Sequence, residues 1–136
     1  MFGTSAIVGS AKSSTTYTYK LASTIIQKQR PIVYVYSTSY LKGYAGEMSI
    51  KYGLTGNQYQ EMMATINCES GWQIYPKPNE ISWGIAQFTP STWKEFGYGD
   101  IMNPVAQINV MVKMWSQGLE ARWDCYRILK SSLINY

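Results

Sequence analysis

The sequence predicts a mainly helical domain, and three observations carry that expectation. Apolar residues recur every three or four positions in three separate stretches, which is the spacing of a buried helix face. Helix-starting residues stand at the right places, with Thr55 three positions before Gln58 and the pairs Thr89-Pro90 and Asn103-Pro104 further on. Only one short run, residues 32–36, has the β-branched and aromatic composition of a strand. With 136 residues the chain has room for one domain and buries about two thirds of its unfolded surface, enough for a real core. An apolar content of 46% and an aromatic content of 15% exclude global disorder.

Taken in order, residues 1–16 are rich in Gly, Ser and Thr and read as a flexible lead-in. Residues 17–39 read as an N-terminal extension packed on or beside the domain, with Leu21, Ile25 and Ile26 as one face if residues 17–28 are helical. Arg30-Pro31 ends that segment. The run Ile32, Val33, Tyr34, Val35, Tyr36 reads as a short strand or as an extended stretch. The folded domain then occupies residues 40–136. Leu41, Tyr44, Ala45, Met48 and Tyr52 form the first helix face, and Gly53 stops it. The second helix starts at Thr55 and carries Tyr59, Met62, Met63 and Ile66 to Glu69.

From Trp72 to Trp83 the chain contains Pro76 and Pro78 and no helical period, so it reads as a loop with at most a small β-hairpin. Thr89-Pro90 opens a short helix that ends near Gly97. Asn103-Pro104 opens a longer one with Val105, Ile108, Val112, Trp115 and Leu119 on its inner face. The residues around Cys125 and from 128 to 136 add one more turn or short helix.

Charge and cysteine content bound the function. The net charge of +4 suits an anionic partner such as a cell wall, a membrane surface or nucleic acid. No zinc-finger spacing or Gly-rich phosphate loop accompanies the basic residues, so nucleic acid is not the expected partner. No apolar run approaches the length of a transmembrane segment. Residues 1–16 lack the basic start and compact apolar run of a secretory signal. Cys68 and Cys125 are either two thiols or one disulfide, and a bond between them would close a loop of nearly sixty residues, worth about 4 kcal/mol in the chain-entropy model. Such a bond belongs to an oxidising compartment.

Glu69 is the residue on which chemistry can be placed. It ends a patterned helix at Cys68-Glu69-Ser70-Gly71-Trp72, among apolar neighbours. An apolar setting disfavours the charged carboxylate and raises its pKa, which is what a proton donor for glycosidic cleavage requires. From spacing alone Glu69 is one of eight acidic residues, and a solvated helix end is the plainer explanation of it.

The ordered motifs around and beyond Glu69 resemble the lysozyme-like lytic transglycosylase family, of the soluble lytic transglycosylase type, which cleaves the glycan strands of peptidoglycan. Its Glu-Ser pair, its Gly-Leu-Met-Gln-like element and its Pro-x-Thr match Glu69-Ser70, Gly84-Ile85-Ala86-Gln87 and Pro90-Ser91-Thr92. Asn103-Pro104 with Gln107-Ile108-Asn109 is similar to a later element. The subset with a cysteine before the glutamate and a Trp-x-Cys near the end is matched by Cys68 and by Trp123-Asp124-Cys125, and on that likeness Cys68 and Cys125 are the expected disulfide. The resemblance covers about residues 41–125 and implies an α+β lysozyme-like fold, mainly helical, with a glycan cleft.

The resemblance also implies roles. Glu69 would protonate the oxygen between N-acetylmuramic acid and N-acetylglucosamine and then, as a carboxylate, take the proton of the muramyl 6-hydroxyl, leaving a 1,6-anhydromuramyl end. Gln87 is the expected holder of a sugar N-acetyl group or hydroxyl, with Ser70, Ser82 and Gly84 as further substrate-site residues and Trp72, Tyr75 and Trp83 as aromatic faces for sugar rings. No cofactor or metal is expected, and the chain has no histidine to serve as an imidazole base or zinc ligand. The implied protein is a monomer acting on peptidoglycan in an extracellular, cell-wall or periplasmic location. Pro78 stands at the spacing where the family commonly has a serine, so Ser82 would supply that hydroxyl from another direction. A hydrolytic lysozyme is the close alternative and would need a second carboxylate from Glu80, Asp100 or Asp124. A noncatalytic peptidoglycan-binding or assembly protein is the more distant one.

Overall fold

The computed structural model of the protein describes residues 32–134. The chain divides into two units, Met1–Val33 and Tyr34–Tyr136. Of the first, only Ile32 and Val33 are described, and both are exposed. The expectations for residues 1–16 and 17–28 lie outside the described residues.

The larger unit is a compact helical domain. Its helices are α1 (Thr38–Lys51), α2 (Gly56–Ser70), α3 (Pro90–Phe96), α4 (Pro104–Ser116) and α5 (Asp124–Ile134), with a 3-10 turn over Glu120–Arg122 ahead of α5. Among the described residues there is no β-strand or sheet, so the helical expectation holds and the β component does not. Residues 72–82 form no hairpin, and one isolated antiparallel bridge joins Trp83 to Phe88 just beyond them. Residues 34–36 are extended but form no strand, since Val35 is 85% exposed and no neighbouring edge pairs with them.

Local chemistry explains where the helices start. Ser37 caps α1 by accepting from the Tyr40 N–H, and Thr55 with Gln58 forms both halves of a capping box on α2. Thr89 and Asn103 cap α3 and α4, each with proline at the first helical position. Their ends are set by backbone geometry. Gly71 takes the left-handed conformation at the end of α2, where its N–H bonds to the Asn67 carbonyl. α1 ends at Lys51 with Tyr52 as its cap, and Gly53, the predicted stop, takes the left-handed conformation directly after the cap. α4 ends at Ser116 rather than near Leu119. The C-terminal segment forms a helix of 11 residues, the short helix rather than the single turn.

α4 is the axis of the domain. Ala106, Ile108, Val110, Met111, Val112, Met114 and Trp115 are all buried, so the helix is apolar nearly all round. α1 packs along it through Leu41 and Ala45, and α2 contributes Met62 and Ile66 to the same core. Phe88 packs edge-on against both Trp93 and Trp123, which ties α3 and the segment before α5 to the centre.

One polar side chain fixes the long loop between α2 and α3 onto this axis. Gln107 of α4 is fully buried. Its amide donates to the Trp83 and Ile101 carbonyls at 2.8 and 2.5 Å and accepts from the Ala86 N–H at 2.8 Å. Gly84 lies against that amide with φ +81°, and a Cβ at position 84 would overlap it. Gly84 is therefore required by Gln107 and by its left-handed backbone. Gly84→Ala should cost about 2–4 kcal/mol from strain and overpacking together, read as a lower denaturation midpoint.

The charges divide unevenly along the sequence. Residues 32–134 hold eight basic and eight acidic residues, so the net charge of +4 falls on residues 1–31, with Lys12, Lys20, Lys28 and Arg30 and no acid. Among the described residues no helix is long and apolar enough to cross a membrane.

Candidate active site around Glu69

Glu69 occupies the last turn of α2, directly after Cys68, which is bonded to Cys125 at the start of α5 with a Cα–Cα distance of 5.9 Å. The disulfide brings the first turn of α5 to the carboxylate, whose Oε2 accepts from the Cys125 N–H at 3.3 Å. A helix N-terminus has free N–H groups to offer, and here one of them is used to orient an acid. Burial pushes the Glu69 pKa up and the neighbouring charge of Asp124 adds to that. The Cys125 N–H and Arg127 pull in the other direction without reversing it.

Glu69, Ser82 and Gln87 line one cavity of about 160 Å³, together with Thr89, Thr92, Arg122 and Asp124. Three of the sequence-predicted site residues thus meet in one place. Gln87 has a left-handed backbone, φ 53°, which a non-glycine residue adopts only where its surroundings hold it. Its amide supplies that hold. Oε1 accepts from Ser82 Oγ at 2.7 Å and from Asn79 Nδ2 at 2.8 Å, and Nε2 donates to the Gly84 carbonyl at 2.8 Å. Both Oε1 lone pairs are then engaged and one amide hydrogen stays uncommitted.

Tyr75, Trp83 and Gly84 line a second, more apolar cavity of about 290 Å³, with Pro76, Pro78 and Met102. Ser82 and Gln87 belong to both cavities, so the two adjoin. Tyr75 is 50% exposed and Trp83 45%, leaving aromatic surface available. Trp72 and Ser70 are placed elsewhere. Trp72, directly after Gly71 and itself left-handed at φ 64°, turns back into the core and is 4% exposed, so it offers no face to a ligand. Ser70 is buried at the helix end, where its Oγ donates to the Ile66 carbonyl and accepts from the Trp72 N–H. Both serve the turn that carries Glu69.

Asn79 is a site residue that the sequence pattern does not single out. Its Oδ1 accepts from the Ile81 and Ser82 N–H groups at 2.8 and 2.7 Å, shaping the turn that brings Ser82 to Gln87. The Pro78-Asn79 pair is the available signal, since both are turn residues. Arg122 is likewise an unexpected cavity residue. It stands over the Phe96 ring at 5.2 Å and lies 3.5 Å from Glu95. Tyr126 does not line the Glu69 cavity. It packs edge-on against Trp115 and lines an apolar groove between α2 and α5. Trp123 is structural, with its indole N–H on the Ala86 carbonyl at 2.9 Å. Among the described residues no cluster of His, Cys, Asp and Glu could hold a metal ion.

Comparison of the chain with family models, with curated proteins and with solved structures returns no match.

The raised pKa has a thermodynamic consequence with a definite sign. A carboxyl whose folded pKa lies above its unfolded value stabilises the fold in acid and loses that contribution as pH rises through the folded value. Glu69→Gln should therefore melt at the same temperature as the parent in acid and at a higher one at neutral pH, as thermal melts across pH would read. Opening the disulfide acts oppositely. Cys125→Ser, or reduction, should cost about 4 kcal/mol for a loop of 57 residues, measured by denaturant titration.

Proposed function

We propose that this protein cleaves the β-1,4 bond between N-acetylmuramic acid and N-acetylglucosamine in peptidoglycan, as a lytic transglycosylase of the lysozyme-like type. The observation that carries the reading is that Glu69, a carboxyl with a raised pKa, lines the same cavity as Gln87 and Ser82. The order of motifs along the chain supports it. Its disulfide suits the extracellular, cell-wall or periplasmic setting in which that substrate is met. The excess positive charge of residues 1–31 suits an anionic wall.

The reaction proceeds without water. Protonated Glu69 gives its proton to the bridging oxygen as the bond from that oxygen to the muramyl anomeric carbon breaks, and N-acetylglucosamine leaves as an alcohol. The muramyl 6-oxygen then bonds to the anomeric carbon and its proton returns to the Glu69 carboxylate, which restores the acid. The uncommitted Gln87 amide hydrogen is suited to a sugar N-acetyl or hydroxyl oxygen. The Cys125 N–H favours the carboxylate stage, and burial favours the acid stage, so one group can occupy both states in turn.

Hydrolysis is the second reading, favoured by one specific observation. Asp124 lines the same cavity, where a second carboxylate would activate water. Its side chain is largely exposed and paired with Arg127, which fits a solvated helix-start residue equally well.

Mass analysis of digested peptidoglycan separates the readings. Transglycosylation gives anhydromuramyl ends, one water lighter than the reducing ends that hydrolysis leaves. Glu69→Gln should lower cleavage by about 10²–10⁴-fold while retaining glycan binding. The rate should fall on the alkaline limb at a pH above the ordinary glutamate range, where the acid loses its proton. Binding without cleavage by the unaltered protein across several peptidoglycans would instead identify a noncatalytic wall-binding protein.

A further inference from the structure

Tyr34 is held by two hydrogen bonds that the glycan-cleaving reading does not use. Its backbone N–H donates to Tyr75 Oη at 2.8 Å, and its phenol donates to Asp100 Oδ2, also at 2.8 Å. Asp100 in turn accepts the Met102 N–H on its other oxygen at 3.0 Å. Tyr75 and Met102 both line the apolar cavity next to Glu69, yet they come from different loops, one before α3 and one after it. A single residue at the N-terminal edge of the domain thus reaches both walls, across separations of 41 and 66 positions.

We propose that Tyr34 is a positioning residue that staples the two walls of this cavity together and so sets its affinity for a glycan, an inference that rests on the function proposed above. The loop bearing Tyr75 has no regular structure between Gln73 and Ser82 to hold it. Tyr75 and Trp83 present half-exposed aromatic faces there, the kind of surface that the C–H face of a sugar ring covers. A loop free to move would have to be ordered by the ligand, at the expense of affinity. A loop already tied needs no such ordering. The Asp100 hydrogen bond is the main reason that the Tyr34 phenol has its pKa pushed up to about 12, so the donor stays protonated through neutral and mildly alkaline pH.

The test compares the full chain with Tyr34→Phe, which removes the bond to Asp100 and keeps the backbone bond to Tyr75. KM for soluble glycan strands should rise about two- to tenfold with kcat within about twofold of the parent. Amide hydrogen exchange should quicken in residues 72–83 and 99–103, with the melting temperature nearly unchanged. Tyr36→Phe, at a ring that stacks on Tyr40, is the control and should match the parent. An unchanged KM, or equal losses in kcat and kcat/KM at constant KM, overturns the proposal, as does unaltered exchange in both loops. If the unaltered protein cleaves no glycan, the functional reading falls by itself. Exchange then decides the staple: faster exchange in Tyr34→Phe keeps it and unchanged exchange removes it.

Discussion

The buried amide of Gln107 holds the loop between α2 and α3 in register with α4. α4 is apolar around almost its whole circumference and would accept many arrangements of the loop laid over it. The Gln107 amide accepts only one, because three backbone groups from two loops must meet its donors and acceptor at once. A buried amide left without these partners would cost about 1–3 kcal/mol per unpaired group, so the loop registers to the helix or the domain loses much of its stability. Gly84 is the other half of the same constraint, since only a residue without a Cβ lets the backbone come close enough.

That register sets the position of the polar groups facing Glu69. Next to the fixed Ala86, Gln87 is held in its left-handed conformation by the bonds of its side chain to Gly84, Asn79 and Ser82. The acid itself arrives on another element, a helix that the disulfide ties to α5. Two independent anchors, one covalent and one made of hydrogen bonds, therefore converge on one cavity. A site supported in this way can hold its groups in place without relying on the loop to order itself.

The parts of this structure that are legible in the sequence are those decided within one turn of chain. The capping box at Thr55 and the Asn103-Pro104 start involve residues two or three apart, and both are realised. The Gln107 lock is not legible, because its Trp83 and Ala86 partners lie 24 and 21 positions away and a glutamine carries no pattern that announces a buried role. The bonds of Tyr34 span greater separations still. Trp72 defeats sequence reasoning for a different reason. A tryptophan in a loop is equally at home in a core or on a surface, and only the two successive left-handed residues at Gly71 and Trp72 decide that it turns inward. The meeting of Glu69, Ser82 and Gln87 is expected only through the resemblance to the lytic transglycosylase motifs, not from spacing or composition. Asn79, which shapes that meeting, is not.

Cys68, Glu69 and Ser70 are consecutive, and each does a different job: covalent tie, candidate acid and closure of the helix end. Because an α-helix turns about 100° per residue, one inserted or deleted residue anywhere in α2 would rotate all three off their partners together. Length changes in this helix are thus far less tolerable than substitutions on its outer face. Variation in a lineage of such proteins should leave the residue count from Thr55 to Gly71 fixed while the exposed positions between them drift.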